Sequence, residues 1–395
     1  MLIAGIVSEY NPFHLGHAAL IDQIRLAGAT HIVAAMSGNF VQRGEPAILS
    51  KWARARQALL CGIDLVIELP LPWALAGAEK FAYGAVSLLD AIGVELLGFG
   101  SECGNVQELQ EVTQALLSPD FREELHRELK RGVTFARARQ TAIASRFGNE
   151  KALLLEEPNN ILGIEYLKAL DRLGSKTKPY TVRRIGAGHN GQKPQSGIAS
   201  ASYIRNLILN NRECSEFMPK PAADVLTQEL QSGSAPVSIL RIERGILASL
   251  RSLGPKELLS LPDVGEGLEN RIYSAARNAT SLEELYNLVK SKRYTHARIR
   301  RIILSAFLNL SAAAGEGLPP YLRVIGFNAR GKEILHTAKL TTKLPIITNS
   351  SDILSLDRKS RNMVELEGKS TDLFALCMPN PSPCGLDMTT GIISI

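Results

Sequence analysis

The chain has little with which to staple or anchor itself. Its 395 residues include only five cysteines, Cys61, Cys103, Cys214, Cys377 and Cys384, widely spaced and with no Cys-x-x-Cys pair. That excludes a disulfide framework and a zinc ribbon, and reduced thiols are expected. No basic segment followed by a long apolar core opens the chain, so no signal peptide is expected. The longest apolar stretches are broken by Glu68, Pro70, Pro72 and Glu79, short of the roughly 20 residues a bilayer requires. A cytoplasmic protein with no membrane partner is expected. Internal repeats, low-complexity tracts and acidic metal clusters are missing, as are RRM, KH and zinc-knuckle signatures.

What is present is ordinary globular material. Hydrophobic residues make up 45% and charged residues 21%, which argues against disorder. The formal net charge of +6 suits a phosphate-rich partner without specifying one.

Apolar patterning sets the organisation. Residues 2–7, 31–36, 64–68 and 94–99 read as strands, and 17–27, 51–60 and 78–92 as helices. Strands alternating with helices at this spacing imply an α/β fold, a doubly wound parallel sheet. Residues 106–150 read as a helical insertion, 161–173 as a helix, 179–185 as a strand, and 186–200 as a Gly-rich polar loop before a helix. A core over 1–215 is expected, followed by a helical section over 219–313 and a small C-terminal α/β appendage over 321–395.

The chemistry concentrates near the N-terminus. In GIVSEYNPFHLGH, residues 5–17, the first strand is expected to end near Ser8, Pro12 makes residues 9–16 a loop, and a helix is expected to start near Gly16 or His17. Ligands bind at the carboxyl edge of such sheets, and a helix N-terminus attracts anions. His14 and His17 would then present ring N–H groups to one phosphate, with Gly16 admitting close approach. This suits adenylyl transfer, where positioning and charge neutralisation do the work. The pair lacks the third ligand and helix-face spacing of a metal site.

A second element, IASASYIR at 198–205, offers Ser200 or Ser202 as a helix cap and Arg205 on the first turn, a seat for polyphosphate. By itself it is a plain helix start with a solvated arginine. Coupled to His-x-Gly-His in a doubly wound core, it resembles the second signature of the HxGH nucleotidylyltransferase superfamily, in a Ser-Ala-Ser variant. Lys51, just after Ser50 at a helix start, could reach phosphates or a carboxylate, or lie on a solvated face. The segment GNFVQRGEP at 38–46 is expected to be a mobile loop above the site.

An ordered set of blocks goes further: EYNPFHLGH, SGNFVQRGEPA at 37–47, GIDLVIELP at 62–70, FGSE at 99–102, EPNNILGIEY at 157–166 and KRYTHARIRRIIL at 292–304. Together they resemble the tRNA(Met) cytidine acetate ligase family. The resemblance implies an ATP-dependent enzyme that activates acetate as acetyl-adenylate. It passes the acetyl group to N4 of the wobble cytidine of elongator tRNA(Met). It implies an ATP site comprising Val7, Ser8, Glu9, Tyr10, Asn11, Pro12, Phe13, His14, Leu15, Gly16, His17, Ala18, Ala19 and Leu20. Gly100, Asn159 or its neighbour Asn160, and Arg184 beside Arg183 and Ile185 complete it. Arg183 and Arg184 alternate across a strand, so only one can face the site. His14, His17, Lys51 and Arg205 are the candidate catalytic groups. Magnesium is expected with ATP, held mostly by phosphate and water.

For RNA, no acid occurs from 286 to 311, and Lys292, Arg293, Arg298, Arg300 and Arg301 fall beside an apolar stripe of Ile299, Ile302, Ile303, Phe307 and Leu310. A helix with Arg301 opposite the packed face, flanked by Arg298 and Arg300, would track a phosphate backbone. Tyr294 could stack on a base or sit in the core. No side chain stands out as a base for the cytosine amine. The alternative function is a nucleotidylyltransferase acting on a small phosphate-bearing metabolite.

Overall fold

The computed structural model describes residues 1–184 and 197–395. The chain opens with β1 (Ile3–Ser8), α1 (Leu15–Leu26), β2 (His31–Ser37), the short β3 (Phe40–Val41) and β4 (Glu45–Pro46), α2 (Lys51–Leu60), β5 (Leu65–Leu69), α3 (Leu71–Ala74), α4 (Ala78–Ala91) and β6 (Leu96–Ser101). The insertion follows as α5 (Val106–Leu117), α6 (Pro119–Lys130), α7 (Phe135–Phe147) and α8 (Asn149–Leu153), then α9 (Pro158–Leu173), β7 (Lys178–Arg183) and α10 (Ala201–Leu209). The main sheet runs in the order β5-β2-β1-β6-β7, and every one of these pairings is parallel. The chain winds outward from β1 to β5 and then returns to β6 on its other side. A crevice therefore opens beyond the carboxyl ends of β1 and β6, where the winding reverses.

β2 and β5 are buried along their whole length, as strands covered on both faces must be. One face carries α4, α9 and the insertion, with Phe81, Leu88, Ile164 and Leu167 among its buried residues. The other carries α1, α2 and α10, with Ile21, Ile24, Ala55 and Ile204. Each fully buried aliphatic side chain here contributes about 1.5–3 kcal/mol over its exposed state.

The second section comprises α11 (Lys220–Gln231), α12 (Glu243–Ser252), α13 (Pro255–Leu259), α14 (Leu268–Asn278), α15 (Leu282–Val289) and α16 (His296–Phe307). α12 to α16 form their own apolar cluster, whereas α11 packs Ala222, Val225 and Leu226 into the core cluster that holds α1, α2 and α10. The C-terminal residues add β8 (Leu322–Phe327), α17 (Ala329–Thr341), β9 (Ile346–Ile347), α18 (Arg358–Ala375), α19 (Leu386–Thr389) and β10 (Ile393–Ser394). They are not a separate appendage. β8 lies antiparallel against the outer edge of β5, and β9 and β10 pair parallel to β8, completing an eight-stranded sheet. The apolar run Val324-Ile325-Gly326 finds its burial there, and β5 loses an exposed edge. Phe374 from α18, with Cys377 and Met378 just beyond its end, joins the helical section's cluster.

Candidate active site

α1 begins two residues earlier than its apolar pattern suggests, because His14 caps it. The Nδ1 atom of His14 accepts from the Gly16 N–H at 3.0 Å, and the Nδ1 of His17 accepts from the His14 N–H at 3.2 Å. This is a reciprocal box built from two imidazoles. With Nδ1 occupied as an acceptor, each neutral ring carries its hydrogen on Nε2. The rings stack with centroids 3.8 Å apart and planes at 28°. Burial pushes His14 down to about 3, and Arg184 and Arg205 add to the effect. Burial, His14 and Arg184 likewise hold His17 well below the ordinary histidine value. Both rings are neutral Nε2–H donors at physiological pH.

They line a cleft of about 230 Å³ at the crevice between β1 and β6. Its walls include Val7 and Ser8 from the end of β1, Glu9, Tyr10 and Asn11 from the loop after it, Leu20 from α1, Gly100 from β6, Asn159 from α9, Arg184, and Ser200, Ser202 and Arg205 around the start of α10. A Cβ on Gly100 would lie 3.1 Å from Arg184 Cγ, so the missing side chain keeps this wall open. Ser200 caps α10, accepting from the Tyr203 N–H at 3.2 Å. Arg205 lies beyond the first turn, but its guanidinium folds back to donate to the Asn11 carbonyl at 2.9 Å and Ser202 Oγ at 3.2 Å. It also meets Glu45 Oε1 at 3.4 Å. The two motifs, nearly 200 residues apart in sequence, therefore share one cleft.

Glu9 and the β3–β4 hairpin close one side. Glu9 Oε1 accepts from the Gln42 N–H at 2.7 Å. Arg43 donates to Ser202 Oγ at 3.3 Å, and both Gln42 and Arg43 line the cleft. The segment is not a loose loop: Phe40 and Val41 pair with Pro46 and Glu45 and are buried, and Phe40 meets Phe374 edge-on at 5.9 Å. Its tip is pinned by Gly44, whose φ is +77°. A Cβ there would fall 2.5 Å from the backbone nitrogen of Arg301.

Residues 1–386 match the model of the HIGH Nucleotidyl Transferase family. A tRNA(Met) cytidine acetate ligase from Thermoanaerobacter sp. (strain X514) is 41% identical over all of both chains, and one from Acetivibrio thermocellus is 38% identical, again over all of both. The chain belongs to the tRNA(Met) cytidine acetate ligase family of HIGH nucleotidyl transferases. Among solved structures, apo Thermotoga maritima TmcAL superposes with a TM-score of 0.95 at 34% identity, covering all of both chains. The same protein bound with alpha-thio ATP superposes at 0.93.

Within this family member, several expected site residues stand elsewhere. Lys51 is 1% exposed and sits outside the cleft. It reaches carboxylates, not a phosphate seat: its Nζ lies 2.7 Å from Glu68 Oε1 and 2.5 Å from Asp387 Oδ1. A buried ammonium is stable only where such partners neutralise it. Asn160 is also structural. Its Oδ1 accepts from the N–H groups of Glu102 and Cys103, while the Glu102 carboxylate accepts from the backbone N–H groups of Asn159 and Asn160. Glu102 thus caps α9, and Asn159 is the member of the pair that lines the cleft. Pro12, Phe13, Leu15, Gly16, Ala18 and Ala19 support the loop without lining the cleft. Arg184 faces it and Arg183 does not, as alternation requires. Ile185 lies outside the described residues.

Pattern reading missed Phe81, Phe99, Leu162 and Tyr166, which form an apolar wall. Phe99 meets Tyr166 edge-on at 5.6 Å. A signal existed: Asn159, Leu162 and Tyr166 stand at i, i+3 and i+7, one face of a helix.

On α16, Ile299, Ile302 and Ile303 are buried as expected, but so are Leu304 and Ser305. Arg301 is not a free outward cation. It is half-buried, donating to the Gln42 carbonyl at 3.4 Å and lying 3.6 Å from Asp263. Arg298 donates to the Asp263 carbonyl, and Arg300 lies over the Tyr286 ring. Tyr294 is in the core at 7% exposure. Lys292 and Arg293 are exposed. Among the described residues, no three His, Cys, Asp or Glu side chains group to hold a metal ion, and no helix is long and apolar enough to cross a membrane.

Proposed function

We propose that this protein is an ATP-dependent ligase that activates acetate as acetyl-adenylate and acetylates N4 of the wobble cytidine of elongator tRNA(Met), in the cytoplasm. The observation that carries the reading is the stacked, neutral His14–His17 pair at the start of α1, in a cleft shared with Arg184 and Arg205. Two Nε2–H donors beside a helix N-terminus fit an α-phosphate, where negative charge builds as it is attacked. Ser200, Ser202 and Arg205 at the start of α10 receive the β- and γ-phosphates. The apolar wall of Phe99, Leu162 and Tyr166, next to Asn159 and the open edge at Gly100, takes the base and ribose.

In the first step an acetate oxygen attacks the α-phosphorus, an O–P bond forms, and pyrophosphate leaves with the electrons of the broken bond. In the second the cytidine amine attacks the acetyl carbonyl and AMP leaves. Magnesium would enter with ATP on phosphate oxygens and water, since Glu9 is the one carboxylate among the described cleft-lining residues and arginines surround it. Lys292 and Arg293 are the exposed cations free to meet the tRNA backbone; Arg298, Arg300 and Arg301 act within the protein.

The test is to incubate the protein with ATP, labelled acetate and bacterial tRNA, digest the RNA and look for N4-acetylcytidine. ATP-dependent label supports the ligase. Absence of label, with turnover of a phosphorylated metabolite, would move the assignment to a small-molecule nucleotidylyltransferase.

A further inference from the structure

Acyl transfer to a cytosine amine needs somewhere for a proton to go. The N4 lone pair is delocalised into the ring, and attack on a carbonyl leaves nitrogen with a positive charge. The histidines cannot accept that proton, because each Nδ1 already accepts a backbone N–H and each Nε2 carries a hydrogen. Lys51 is outside the cleft, buried against Glu68 and Asp387.

Glu9 remains. It is the one carboxylate among the described residues that line the cleft, and it stands one residue past β1 on the loop that leads to His14 and the first turn of α1. Its orientation is fixed by the Gln42 N–H at 2.7 Å. We infer that Glu9 is the general base of the transfer step, taking the proton from cytidine N4 as that nitrogen attacks the acetyl carbon. The N–C bond forms, the acyl C–O bond breaks, AMP departs with the bonding electrons, and the N4 proton ends on the Glu9 carboxylate. The inference rests on the acetyl-adenylate reading above.

The surroundings fit a base better than a metal ligand. Arg43 from the hairpin, Arg205 from α10 and Arg54 from α2 face the carboxylate, and Tyr166 from α9 stands near it. Three cations repel a divalent ion while favouring the ionised carboxylate. Burial acts the other way and outweighs them, holding the carboxyl above the ordinary glutamate value, which strengthens it as a proton acceptor.

Glu9→Gln separates the possibilities, because its amide oxygen can still accept from the Gln42 N–H. Two rates are measured: acetate-dependent ATP–pyrophosphate exchange without tRNA, and acetyl transfer to tRNA. Exchange in the wild-type protein tests the underlying ligase reading; its absence removes that reading whatever Glu9 does. With exchange present, Glu9→Gln is expected to lower the ratio of transfer to exchange about a hundredfold. It should also abolish the rise of transfer with pH through the Glu9 titration, while Glu9→Asp retains that rise. Equal loss of both rates would make Glu9 a structural or binding group. Recovery of Glu9→Gln transfer by added magnesium would make it a metal ligand. Unchanged transfer would leave the proton to the departing phosphate. Any of these three overturns the inference. Thermal unfolding of each variant confirms that a folded protein is being compared.

Discussion

His14 and His17 do two jobs with four nitrogens. The Nδ1 atoms hold the start of α1, and the Nε2 atoms are left for the ligand. His17→Asn separates the jobs, since an amide oxygen can replace Nδ1 while the Nε2–H is lost. Pyrophosphate exchange should fall by about 10²–10³-fold, the cost of one oxyanion donor. The unfolding midpoint in urea should change little. The neutrality of His14 also predicts a pH effect on stability. Its folded value near 3 lies below the ordinary 6.5. Between those values the unfolded chain binds the extra proton and the folded one does not. Stability is therefore complete above about pH 6.5 and falls as pH drops, by about 1.4 kcal/mol per pH unit for this group. Replacing His14 with Gln, which does not titrate, should make the loss of stability between pH 7 and 5 measurably shallower. An unchanged slope would show that His14 is not held neutral.

Elements differ in how far their own residues announce them. Helix α2 runs over Lys51–Leu60 as its pattern suggests, because Ser50 caps it and Cys61-Gly62 ends it. The His-x-Gly-His loop was legible because its chemistry is local: a proline, a glycine and two imidazoles within a few residues. The β3–β4 hairpin was not, because what holds it lies far away, in Phe374, Arg301 and Glu9. The same distance hid the role of α16. Its sequence shows an apolar stripe and a run of cations, and nothing in the run says that Arg301 reaches across to a hairpin 259 positions earlier. Gly44 is where these elements meet. Its φ of +77° already disfavours a side chain, and a Cβ would also strike the α16 backbone. Gly93 has a φ of +88° with nothing within 4 Å of its would-be Cβ, so it serves as the control. Gly93→Ala should cost about 1 kcal/mol, the conformational penalty by itself. Gly44→Ala should cost clearly more and raise the KM for ATP, because displacing the hairpin moves Gln42 and Arg43. Equal losses in the two variants, with ATP binding intact, would mean that the hairpin's seat on α16 does not shape the cleft.

At the scale of the whole molecule, the first and last parts of the chain are joined by buried charge. Glu68 at the end of β5 and Lys51 at the start of α2 meet Arg323 on β8 and Asp387 on α19; Arg323 lies 2.5 Å from Asp387 and 3.6 Å from Glu68. Glu367 on α18 completes the group, accepting from the Leu71 N–H. Burial and the neighbouring Glu68 carboxylate push Glu367 up to about 8, so at neutral pH it is largely protonated. Two cations then face two anions. Pattern reading could not place this network, because its members come from regions that looked like separate domains. Removing one cation leaves a buried anion unpaired, so Lys51→Met should destabilise the fold by about 3–5 kcal/mol in denaturant unfolding. That loss should exceed any effect on exchange measured at temperatures where the variant is still folded, whereas a phosphate-binding lysine would show the reverse. Glu367 predicts the opposite pH trend to His14. Its folded value lies above the unfolded one, so its contribution is complete below about pH 4.5 and is lost as pH rises through about 8. Glu367→Gln removes the titrating proton but keeps an acceptor for Leu71. Its urea midpoint should fall less than that of the wild-type protein between pH 6 and 9. If both proteins lose stability equally over that range, Glu367 is ionised in the fold, and the balance of charge that joins the C-terminal strands to the core is other than two against two.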